Sequence, residues 1–313
     1  MDDVILVTGS GGLVGSALKR LLGPTAIFLD RASGDLRDPH TVKNLFERYK
    51  PKKVIHLAAV VGGVKSNGKY PADYYFDNVM INTNVLNSAR AVGTQKILSY
   101  MSTCVFPDDA SYPLTVDQLH EGEPHHSNFG YAYAKRMLEV QSRAIRSQFG
   151  ISAITVIPTN IYGPNDNFHL DDGHVLPALI HRTHIAKAKG DDLTVWGSGS
   201  PLREFVFSDD IAKLSIFALD NYDSDEPLIL SSEQETSIKD VVHTISHIFD
   251  FKGRVIFDPT QPDGQFRKPS CGNKIKELWP GFVWKPLDNG LRETIEWFNA
   301  HVGEARGTKD ERI

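Results

Sequence analysis

A tyrosine and a lysine four residues apart, Tyr131 and Lys135, stand in the run Tyr131-Ala132-Tyr133-Ala134-Lys135. Residues at this spacing lie on one face of a helix. A phenol ordinarily titrates at about 10, and a neighbouring ammonium favours the phenolate, so we expect Lys135 to lower the pKa of Tyr131. Such a tyrosine can protonate a carbonyl oxygen as hydride reaches the carbon, and Ser102 would hydrogen-bond the same oxygen. The spacing alone also fits a surface pair.

A glycine-rich turn near the N-terminus is the second candidate site. Glycines recur as G-x-x-G-x-x-G in Gly9-Ser10-Gly11-Gly12-Leu13-Val14-Gly15, between a β-rich run and a predicted helix. Only glycine lets a chain turn tightly, bring its backbone close to a pyrophosphate and pack a helix closely on a strand. Backbone N–H groups and the helix dipole would then hold the phosphates. We predict that these seven residues bind a dinucleotide; an ordinary strand-to-helix turn is the alternative.

Two charged residues after the second apolar run bear on the choice of cofactor. Asp30 is at the position that commonly binds the ribose 2′-hydroxyl of NAD, whereas Arg31 would suit the 2′-phosphate of NADP. Alone, the pair is ambiguous, and it also fits a surface ion pair. Asp35 and Leu36 open the next loop, where we expect them to border the adenine, although a helix cap is equally possible.

The elements that must position these residues alternate along the first half of the chain. Short apolar runs occupy residues 4–7, 25–29, 54–58, 96–101 and 152–157, and helical patterns occupy 13–22, 39–49, 78–92 and 131–149. Apolar strands alternating with helices predict an α/β fold with a Rossmann-type, doubly wound parallel sheet covered on both faces.

The pattern changes after about residue 163. Residues 164–204 are rich in Pro, Gly, Asp, Asn and His, which predicts long loops and one helix near 175–188. Short strands are predicted at 204–207 and 228–230, and a helix at 289–302. We predict an NADP-binding domain at 1–164, to which a segment near 205–232 returns, and a smaller, discontinuous α/β substrate domain at 165–313.

Composition excludes several classes of protein. The net charge of −5 argues against a binder of nucleic-acid backbones, and two cysteines in 313 residues exclude a disulfide-rich scaffold or a four-cysteine zinc site. The longest apolar run, residues 54–64, is shorter than the roughly 18 residues of a membrane helix. The acidic start, Met1-Asp2-Asp3, is unlike a signal peptide. We expect a cytosolic enzyme with reduced thiols, without a bound metal and without a nucleic-acid or membrane partner.

Taken together, these residues resemble the extended short-chain dehydrogenase/reductase superfamily. Within it, further segments over nearly the whole chain resemble the GDP-L-fucose synthases, the animal members above all: residues 101–107, 127–131, 158–164, 172–177 and 195–199. The resemblance implies a cytosolic homodimer that uses NADPH. It also implies conversion of GDP-4-keto-6-deoxy-D-mannose to GDP-L-fucose by 3,5-epimerisation and 4-reduction.

The resemblance assigns roles residue by residue. It implies that Tyr131 is the proton donor, that Lys135 is its electrostatic partner and a nicotinamide-ribose ligand, and that Ser102 is their hydrogen-bonding neighbour. It makes Cys104 and His174 the epimerisation acid/base pair. The implied nicotinamide-site residues are Pro158, Thr159, Asn160, Ile161 and His174, and the implied GDP-sugar contacts are Arg182, Trp196, Arg203 and Asp263.

This chemistry suits a thiol and an imidazole. A 4-keto group acidifies the hydrogens on C3 and C5, and inverting each centre needs a base on one face of the ring and an acid on the other. Cys104 can be the base if cations lower its usual pKa of about 8.5, and His174 titrates near neutrality. From the residues alone, Cys104 also fits a small buried side chain and His174 a structural or surface one.

Other interpretations remain open at this stage. Trp196 fits core filler, Arg203 a salt bridge near Glu204, and Asp263 a turn residue. Sugar-nucleotide 4,6-dehydratases carry an Asp-Glu pair after the threonine, whereas Thr103 is followed by Cys104 and Val105. A simple nucleotide-sugar 4-epimerase or reductase and a non-catalytic dinucleotide sensor are the alternative functions. Cys271 matches no functional pattern, so we interpret it as structural or surface.

Overall fold

The computed structural model describes residues 4–261, 263 and 265–309. The strands in those ranges are β1 (Ile5–Thr8), β2 (Ala26–Leu29), β3 (Lys53–His56), β4 (Lys96–Tyr100), β5 (Ser152–Pro158), β6 (Asn160–Tyr162), β7 (Leu193–Trp196), β8 (Leu202–Phe207), β9 (Leu228–Leu230), β10 (Glu235–Ser237) and β11 (Val255–Asp258). The α-helices are α1 (Leu13–Leu22), α2 (Pro39–Tyr49), α3 (Val64–Lys69), α4 (Pro71–Ala91), α5 (Phe129–Phe149), α6 (Val175–Lys189), α7 (Ser208–Asn221), α8 (Ile238–Ile248), α9 (Asn273–Leu278) and α10 (Leu287–His301). The acidic start at residues 1–3 and the turn residues Pro262 and Gly264 lie outside the described residues.

Six parallel strands form the central sheet, in the order β2-β1-β3-β4-β5-β9. Successive side chains are apolar because both faces of the sheet are covered, and Leu6, Val7, Ile97 and Leu98 are fully buried. The strand order changes direction between β1 and β3. In such sheets ligands bind at that point, in the crevice beyond the carboxyl ends of the strands. The predicted Rossmann-type fold is confirmed.

Helices cover the two faces of this sheet. Leu18 of α1 and Leu214 of α7 pack over Leu98 on one face. Phe46 of α2 and Val85 of α4 belong to the core on the other face, with α5 beside them. Because α7 and β9 come from residues 208–230, a late segment completes both the sheet and its cover. None of the helices among the described residues has the length and apolar character that a membrane span requires.

A smaller α/β region packs beside the sheet. It holds the three-stranded sheet β10-β8-β6, the two-stranded sheet β11-β7 and the helices α6, α8 and α10. Its core contains Phe168, Ile180, Val241 and Phe298. Its strands come from separate stretches of the chain, so the region is discontinuous, as predicted. The exact domain boundaries at 164 and 205–232 stay a prediction.

One predicted helix, α4, begins earlier in the structure than expected. This helix begins at Pro71, well before the predicted start at residue 78. Proline suits the first turn of a helix, and Asp73 lies in that turn. Its negative charge interacts favourably with the positive end of the helix dipole. The apolar pattern is interrupted because Asn78 and Asn82 are buried and make hydrogen bonds inside the protein. The helix therefore carries polar groups on its inward face.

Candidate active site

The glycine turn between β1 and α1 is closely packed at two of its glycines. Gly9 has φ +70°, and a Cβ there would lie 2.7 Å from the backbone nitrogen of Ala58. A Cβ on Gly15 would lie 2.5 Å from Cα of Ser10. Gly12 is less constrained, since its Cβ would meet only the Gly9 carbonyl oxygen, at 3.4 Å. The close packing of the fold thus requires glycine at positions 9 and 15, whereas position 12 has room for a Cβ.

The same turn has the groups that a diphosphate needs. The N-terminus of α1, at Leu13 and Val14, has no side-chain cap at Gly12 and no acidic residue in its first turn. The helix therefore offers free N–H groups and the positive end of its dipole. Ser10 is buried and its Oγ has no hydrogen-bond partner among the described residues. A buried hydroxyl without a partner is what a phosphate oxygen would satisfy.

Asp30, the acidic residue directly after β2, makes hydrogen bonds within its own loop. The Asp30 carboxylate accepts hydrogen bonds from the Ala32 and Ser33 backbones and from the Ser33 hydroxyl. The hydrogen bond from the Ser33 side chain is the main cause that lowers the pKa of Asp30. All three hydrogen bonds reach Oδ1, so Asp30 caps this short turn, and the exposed Arg31 follows it. These contacts do not choose between a ribose hydroxyl and a 2′-phosphate.

The residues expected to border the adenine lie at the edge of the next loop. The Asp35 carboxylate pairs with the Arg37 guanidinium at 2.8 Å, and Arg37 also reaches Asp77 at 3.1 Å. Leu36 is half-buried, and its carbonyl oxygen accepts a hydrogen bond from Asn84 Nδ2. Asp38, rather than Asp35, caps α2.

Tyr131 and Lys135 lie on one face of α5, as the spacing predicts. Lys135 is 2% exposed, its Nζ donates to the Tyr100 carbonyl oxygen at 2.7 Å, and it lies 5.7 Å from the centre of the Tyr131 ring. The predicted direction of the Tyr131 pKa is wrong. Burial raises the pKa of Tyr131, with a smaller contribution from the charge of Cys104, and burial lowers the pKa of Lys135 to about 8. Burial therefore favours the protonated phenol.

Ser102 and Cys104 follow β4 on a short turn. The Ser102 side chain caps this turn by accepting from the Cys104 backbone N–H at 3.5 Å. Cys104 is half-buried and free. Burial raises the pKa of the Cys104 thiol; the hydrogen bond from Ser102 and the charges of Lys268 and Lys135 act in the opposite direction. The charges of Lys268 and Lys135 therefore act on the Cys104 thiol, and the charge of Cys104 acts on the Tyr131 phenol.

Lys268 is a site residue that the sequence prediction missed. It lies on the segment 265–272, which crosses from the smaller α/β region to the loop after β4. The Pro269 carbonyl oxygen accepts from the Leu114 N–H at 2.8 Å, and the Ser270 N–H donates to the buried Glu204 at 2.8 Å. Burial lowers the pKa of Lys268, and the charge of Cys104 opposes this effect. The only sequence signal is the pair of cations Arg267-Lys268 after Asp263.

The residues implied for the nicotinamide site surround the end of β5. Thr159 is buried, its N–H donates to the Leu230 carbonyl oxygen at 3.3 Å, and its Oγ1 has no partner among the described residues. Pro158 is buried, Ile161 is half-buried, and Asn160 is exposed with its Nδ2 donating to the Glu204 carbonyl oxygen at 2.8 Å. His174 is exposed and is the N-cap residue of α6.

Trp196 is at the surface, where two cations stack on its indole ring. It is 46% exposed, so it is not core filler. Arg182 of α6 lies with its Cζ 4.8 Å from the ring centre, and Lys65 of α3 lies with its Nζ 4.7 Å away. Cation–π contacts of this kind hold flat groups and cations together. Lys65 was missed because α3 and β7 are far apart in sequence.

Arg203 and Asp263 are also engaged in ways the sequence left open. Arg203 Nη1 donates to the Leu202 carbonyl oxygen at 2.7 Å. The Glu204 carboxylate accepts from Ser231 and Ser270, so in the described part of the chain these contacts replace the expected bridge to Arg203. The Asp263 carboxylate accepts from both the N–H and the hydroxyl of Ser198, at 2.6 and 2.8 Å. Asp263 therefore fixes the turn directly after Trp196.

Comparison with known proteins agrees with this geometry. The model of the NAD dependent epimerase/dehydratase family matches residues 5–230. A GDP-L-fucose synthase from Dictyostelium discoideum is 43% identical to the chain, covering 96% of it and 97% of that protein. The chain belongs to the GDP-L-fucose synthase family. Another member, GDP-L-fucose synthase 1 from Arabidopsis thaliana, is 40% identical and covers 95% of this chain, with 94% of its own length matched.

A solved structure of the family has the same fold throughout. The crystal structure of a GDP-L-fucose synthetase from Naegleria fowleri bound to NADP is 42% identical. Its TM-score to this chain is 0.91, with 98% of this chain and 97% of that chain covered. The resemblance predicted from the sequence is confirmed, and the relatives favour this family over a simple 4-epimerase or a dinucleotide sensor.

Proposed function

We propose that this chain converts GDP-4-keto-6-deoxy-D-mannose to GDP-L-fucose, by epimerisation at C3 and C5 followed by reduction at C4. The chain is an NADPH-dependent enzyme of GDP-L-fucose synthesis, and its substrate is a GDP-sugar. One observation carries the assignment of roles: the carbon base Cys104 and the proton donor Tyr131 lie in one group of interacting charges. Burial holds Tyr131 protonated and raises the pKa of Cys104, and the charges of Lys268 and Lys135 oppose the rise at Cys104.

The cofactor would be held by the glycine turn and by the end of β5. We propose Gly9, Ser10, Gly11, Gly12, Leu13, Val14 and Gly15 for its pyrophosphate, Arg31 for its 2′-phosphate, and Asp35 and Leu36 for its adenine. Lys135, Pro158, Thr159, Asn160, Ile161 and His174 would border the nicotinamide half. Bound there, NADPH supplies the hydride for C4. The free Ser10 and Thr159 hydroxyls support this arrangement, because both are buried without partners in the described structure.

Replacing Gly15 by alanine should lower the free energy of unfolding by about 1–3 kcal/mol and weaken NADPH binding. The new methyl group would meet Ser10 Cα at 2.5 Å, so α1 would have to move away from the turn. Thermal unfolding and a fluorescence titration with NADPH measure the two effects. Gly281→Ala is the control, since a Cβ there meets nothing within 4 Å. Wild-type stability and affinity in Gly15→Ala would contradict the close packing.

Epimerisation begins with removal of a proton from the carbon next to the keto group. We propose that the Cys104 thiolate takes this proton, and that Lys268 and Lys135 stabilise the thiolate against the effect of burial. Ser102 hydrogen-bonds the keto oxygen, where the negative charge of the enolate develops. His174 returns a proton to the other face of the same carbon. Its exposure supports this role, because an acid that is used twice must be recharged from solvent.

Reduction follows at C4, with Tyr131 protonating the oxygen. The raised pKa of Tyr131 supports an acid rather than a base in this direction. Lys135 fixes the geometry, since its ammonium is anchored on the Tyr100 carbonyl oxygen beside the ring. Thiolate base and protonated phenol are mutually compatible, because the charge of Cys104 raises the pKa of Tyr131.

The substrate would lie between the carboxyl ends of the main sheet and the smaller α/β region. We propose Arg182 and Arg203 for the diphosphate, which guanidinium groups bind with paired hydrogen bonds. Trp196 would offer its exposed indole to the guanine or the sugar, and Asp263 would accept hydroxyl hydrogens. Residues 1–164 with 205–232 would then form the cofactor domain, and 165–313 the substrate domain.

We also propose a homodimer in the cytosol. Five large apolar side chains are exposed on α4 and α5: Phe76 at 64%, Met80 at 44%, Phe129 at 47%, Val140 at 37% and Phe149 at 45%. Pairing these two helices with their symmetry mates would cover them in an isologous interface. A reducing compartment would also protect a catalytic thiolate from oxidation. Light scattering of the purified protein tests the assembly.

The proposed function is tested by incubating the purified protein with GDP-4-keto-6-deoxymannose and NADPH in D₂O. We expect GDP-L-fucose with solvent deuterium at C3 and C5, seen by NMR and mass spectrometry. Reduction without deuterium at either carbon would contradict epimerisation and leave a simple 4-reductase. Exchange without consumption of NADPH would contradict the reductase half.

A further inference from the structure

We propose that Lys65 is a substrate-binding residue, whose ammonium pairs with the diphosphate of the GDP-sugar together with the Arg182 guanidinium. The proposal rests on the function proposed above for Arg182 and Trp196. Lys65 lies on α3, which follows the third strand of the main sheet, whereas Arg182 and Trp196 belong to the smaller α/β region. Lys65 is not among the residues implied by the family resemblance. The diphosphate would thus be held from both halves of the molecule.

Helix α3 is held in place by hydrogen bonds to the segments on either side of it. The buried Asn67 donates from Nδ2 to the carbonyl oxygens of Gly62 and Gly63, at 2.7 and 3.0 Å. The Ser66 hydroxyl lies 2.9 Å from the Tyr74 hydroxyl of α4. The fold therefore sets the backbone position of Lys65, while its side chain is 62% exposed and accessible to a ligand.

The same helix reaches the loop that precedes α6. A Cβ on Gly63 would lie 3.3 Å from the Asp171 carbonyl oxygen, so the start of α3 packs on this loop. The Lys65 ammonium lies 3.4 Å from the Asp171 carboxylate and 4.7 Å from the centre of the Trp196 ring. These contacts place a cation from the side of the main sheet directly at Trp196.

Two cations share the Trp196 indole. The Arg182 guanidinium carbon lies 4.8 Å from the centre of the ring, so it and the Lys65 ammonium are no farther apart than the sum of their two distances to that centre. Charges this close are not fully screened at physiological salt. In the described part of the chain, Asp171 is the one carboxylate within 4 Å of either cation, and it is itself exposed. The pair therefore keeps a positive charge that an anion would balance.

A diphosphate fits this pair of cations. Its two adjacent phosphoryl groups carry more negative charge than one cation balances. The planar Arg182 guanidinium can donate two parallel hydrogen bonds to one phosphoryl group, and the Lys65 ammonium can act as a point charge at the other. An exposed ion pair contributes little stability, so Lys65 can exchange Asp171 for the diphosphate without movement of α3. Because the diphosphate does not react, this contact lowers KM and leaves kcat unchanged.

The test is a calorimetric titration of Lys65→Gln with GDP. We expect the affinity for GDP to fall by about ten-fold, as the loss of one charge-assisted contact gives, and to depend less on salt than in wild type. The KM for GDP-4-keto-6-deoxymannose should rise by a similar factor, with kcat unchanged. Lys65→Arg keeps the charge and should keep most of the affinity. Wild-type affinity for GDP in Lys65→Gln would overturn the proposal.

Lys69→Gln is the matched control, because it removes the same charge from the same helix. The Lys69 ammonium lies 4.9 Å from the centre of the Tyr70 ring rather than at Trp196. This variant should bind GDP like wild type, and a loss as large as that of Lys65→Gln would overturn the proposal. Both lysines are exposed, so NADPH affinity and thermal unfolding should match wild type in both variants.

Asp171→Asn should give a result of the opposite sign. Without this carboxylate nothing competes with the diphosphate for Lys65, so the affinity for GDP should rise by about two- to three-fold. In a Lys65→Gln background the same change should have no such effect, and an equal gain there would overturn the proposal. If wild type binds NADPH but neither binds GDP nor forms GDP-L-fucose, the proposed function has failed and this inference with it. If wild type forms GDP-L-fucose and Lys65→Gln is unchanged, only this inference has failed.

Discussion

Cys104→Ser should reduce incorporation of solvent deuterium at C3 and C5 by about 100- to 10,000-fold, the usual contribution of a general base. A serine hydroxyl is far less acidic than a thiol, so lysines that stabilise a thiolate cannot make an alkoxide at neutral pH. Because hydride transfer follows epimerisation in the proposed order, GDP-L-fucose formation should fall with it. NMR of the sugar carbons in D₂O follows the exchange directly.

The other cysteine is the matched control. Cys271 lies on the segment 265–272, its N–H donates to the Leu114 carbonyl oxygen, and its thiol has no proposed role. Cys271→Ser should exchange deuterium at the wild-type rate. Since burial raises the pKa of Cys104, alkylation of this thiol in the free enzyme should accelerate as the pH rises toward alkaline values. Normal exchange by Cys104→Ser would mean that another group is the base.

Tyr131→Phe should separate the two half-reactions. Removing the phenol removes the proton donor to the C4 oxygen, so NADPH oxidation should fall by about 100- to 10,000-fold. Deuterium exchange should continue, because Cys104 and His174 are unchanged. Absorbance of NADPH and NMR of the sugar measure the two halves on one sample.

Tyr133→Phe is the control for this variant, two residues further along α5. Its ring lies 5.4 Å from the Arg136 guanidinium rather than beside Lys135. It should reduce the substrate at the wild-type rate. If Tyr131→Phe lost both deuterium exchange and reduction, the tyrosine would also serve the epimerisation. An undiminished rate of NADPH oxidation would exclude it as the proton donor.

Much of the fold could be predicted because the main sheet is built from local patterns. The glycine turn and the boundaries of α1 and α2 follow from short-range spacing, which is visible in the sequence. Helix α8 was missed although Ser237 caps it through the Asp240 N–H and its apolar residues recur at helical spacing. Strands β7 and β11 were missed because each is short and buries only part of its side chains.

The site was predicted unevenly for a similar reason. Tyr131 and Lys135 are one helical turn apart, so their proximity follows from the helix. Cys104 and His174 were assigned through the family resemblance, and their setting depends on loops. Lys268 lies on a segment that long-range hydrogen bonds fix in place, and its charge acts on Cys104. Spacing along the chain cannot show this. The direction of the Tyr131 pKa was mispredicted because the cost of burying a charge depends on tertiary packing.

The late segment 208–230 has a consequence for how the chain is made. It supplies the edge strand β9 and the helix α7, which rests on α1. A ribosome delivers this segment after β6, α6, β7 and β8 of the smaller α/β region, and before the other elements of that region. Until then the nascent chain carries an unpaired edge on β5 and an uncovered apolar face on α1, both of which invite association with other chains. The order of synthesis therefore delays completion of the main sheet until the first elements of the smaller α/β region have been made.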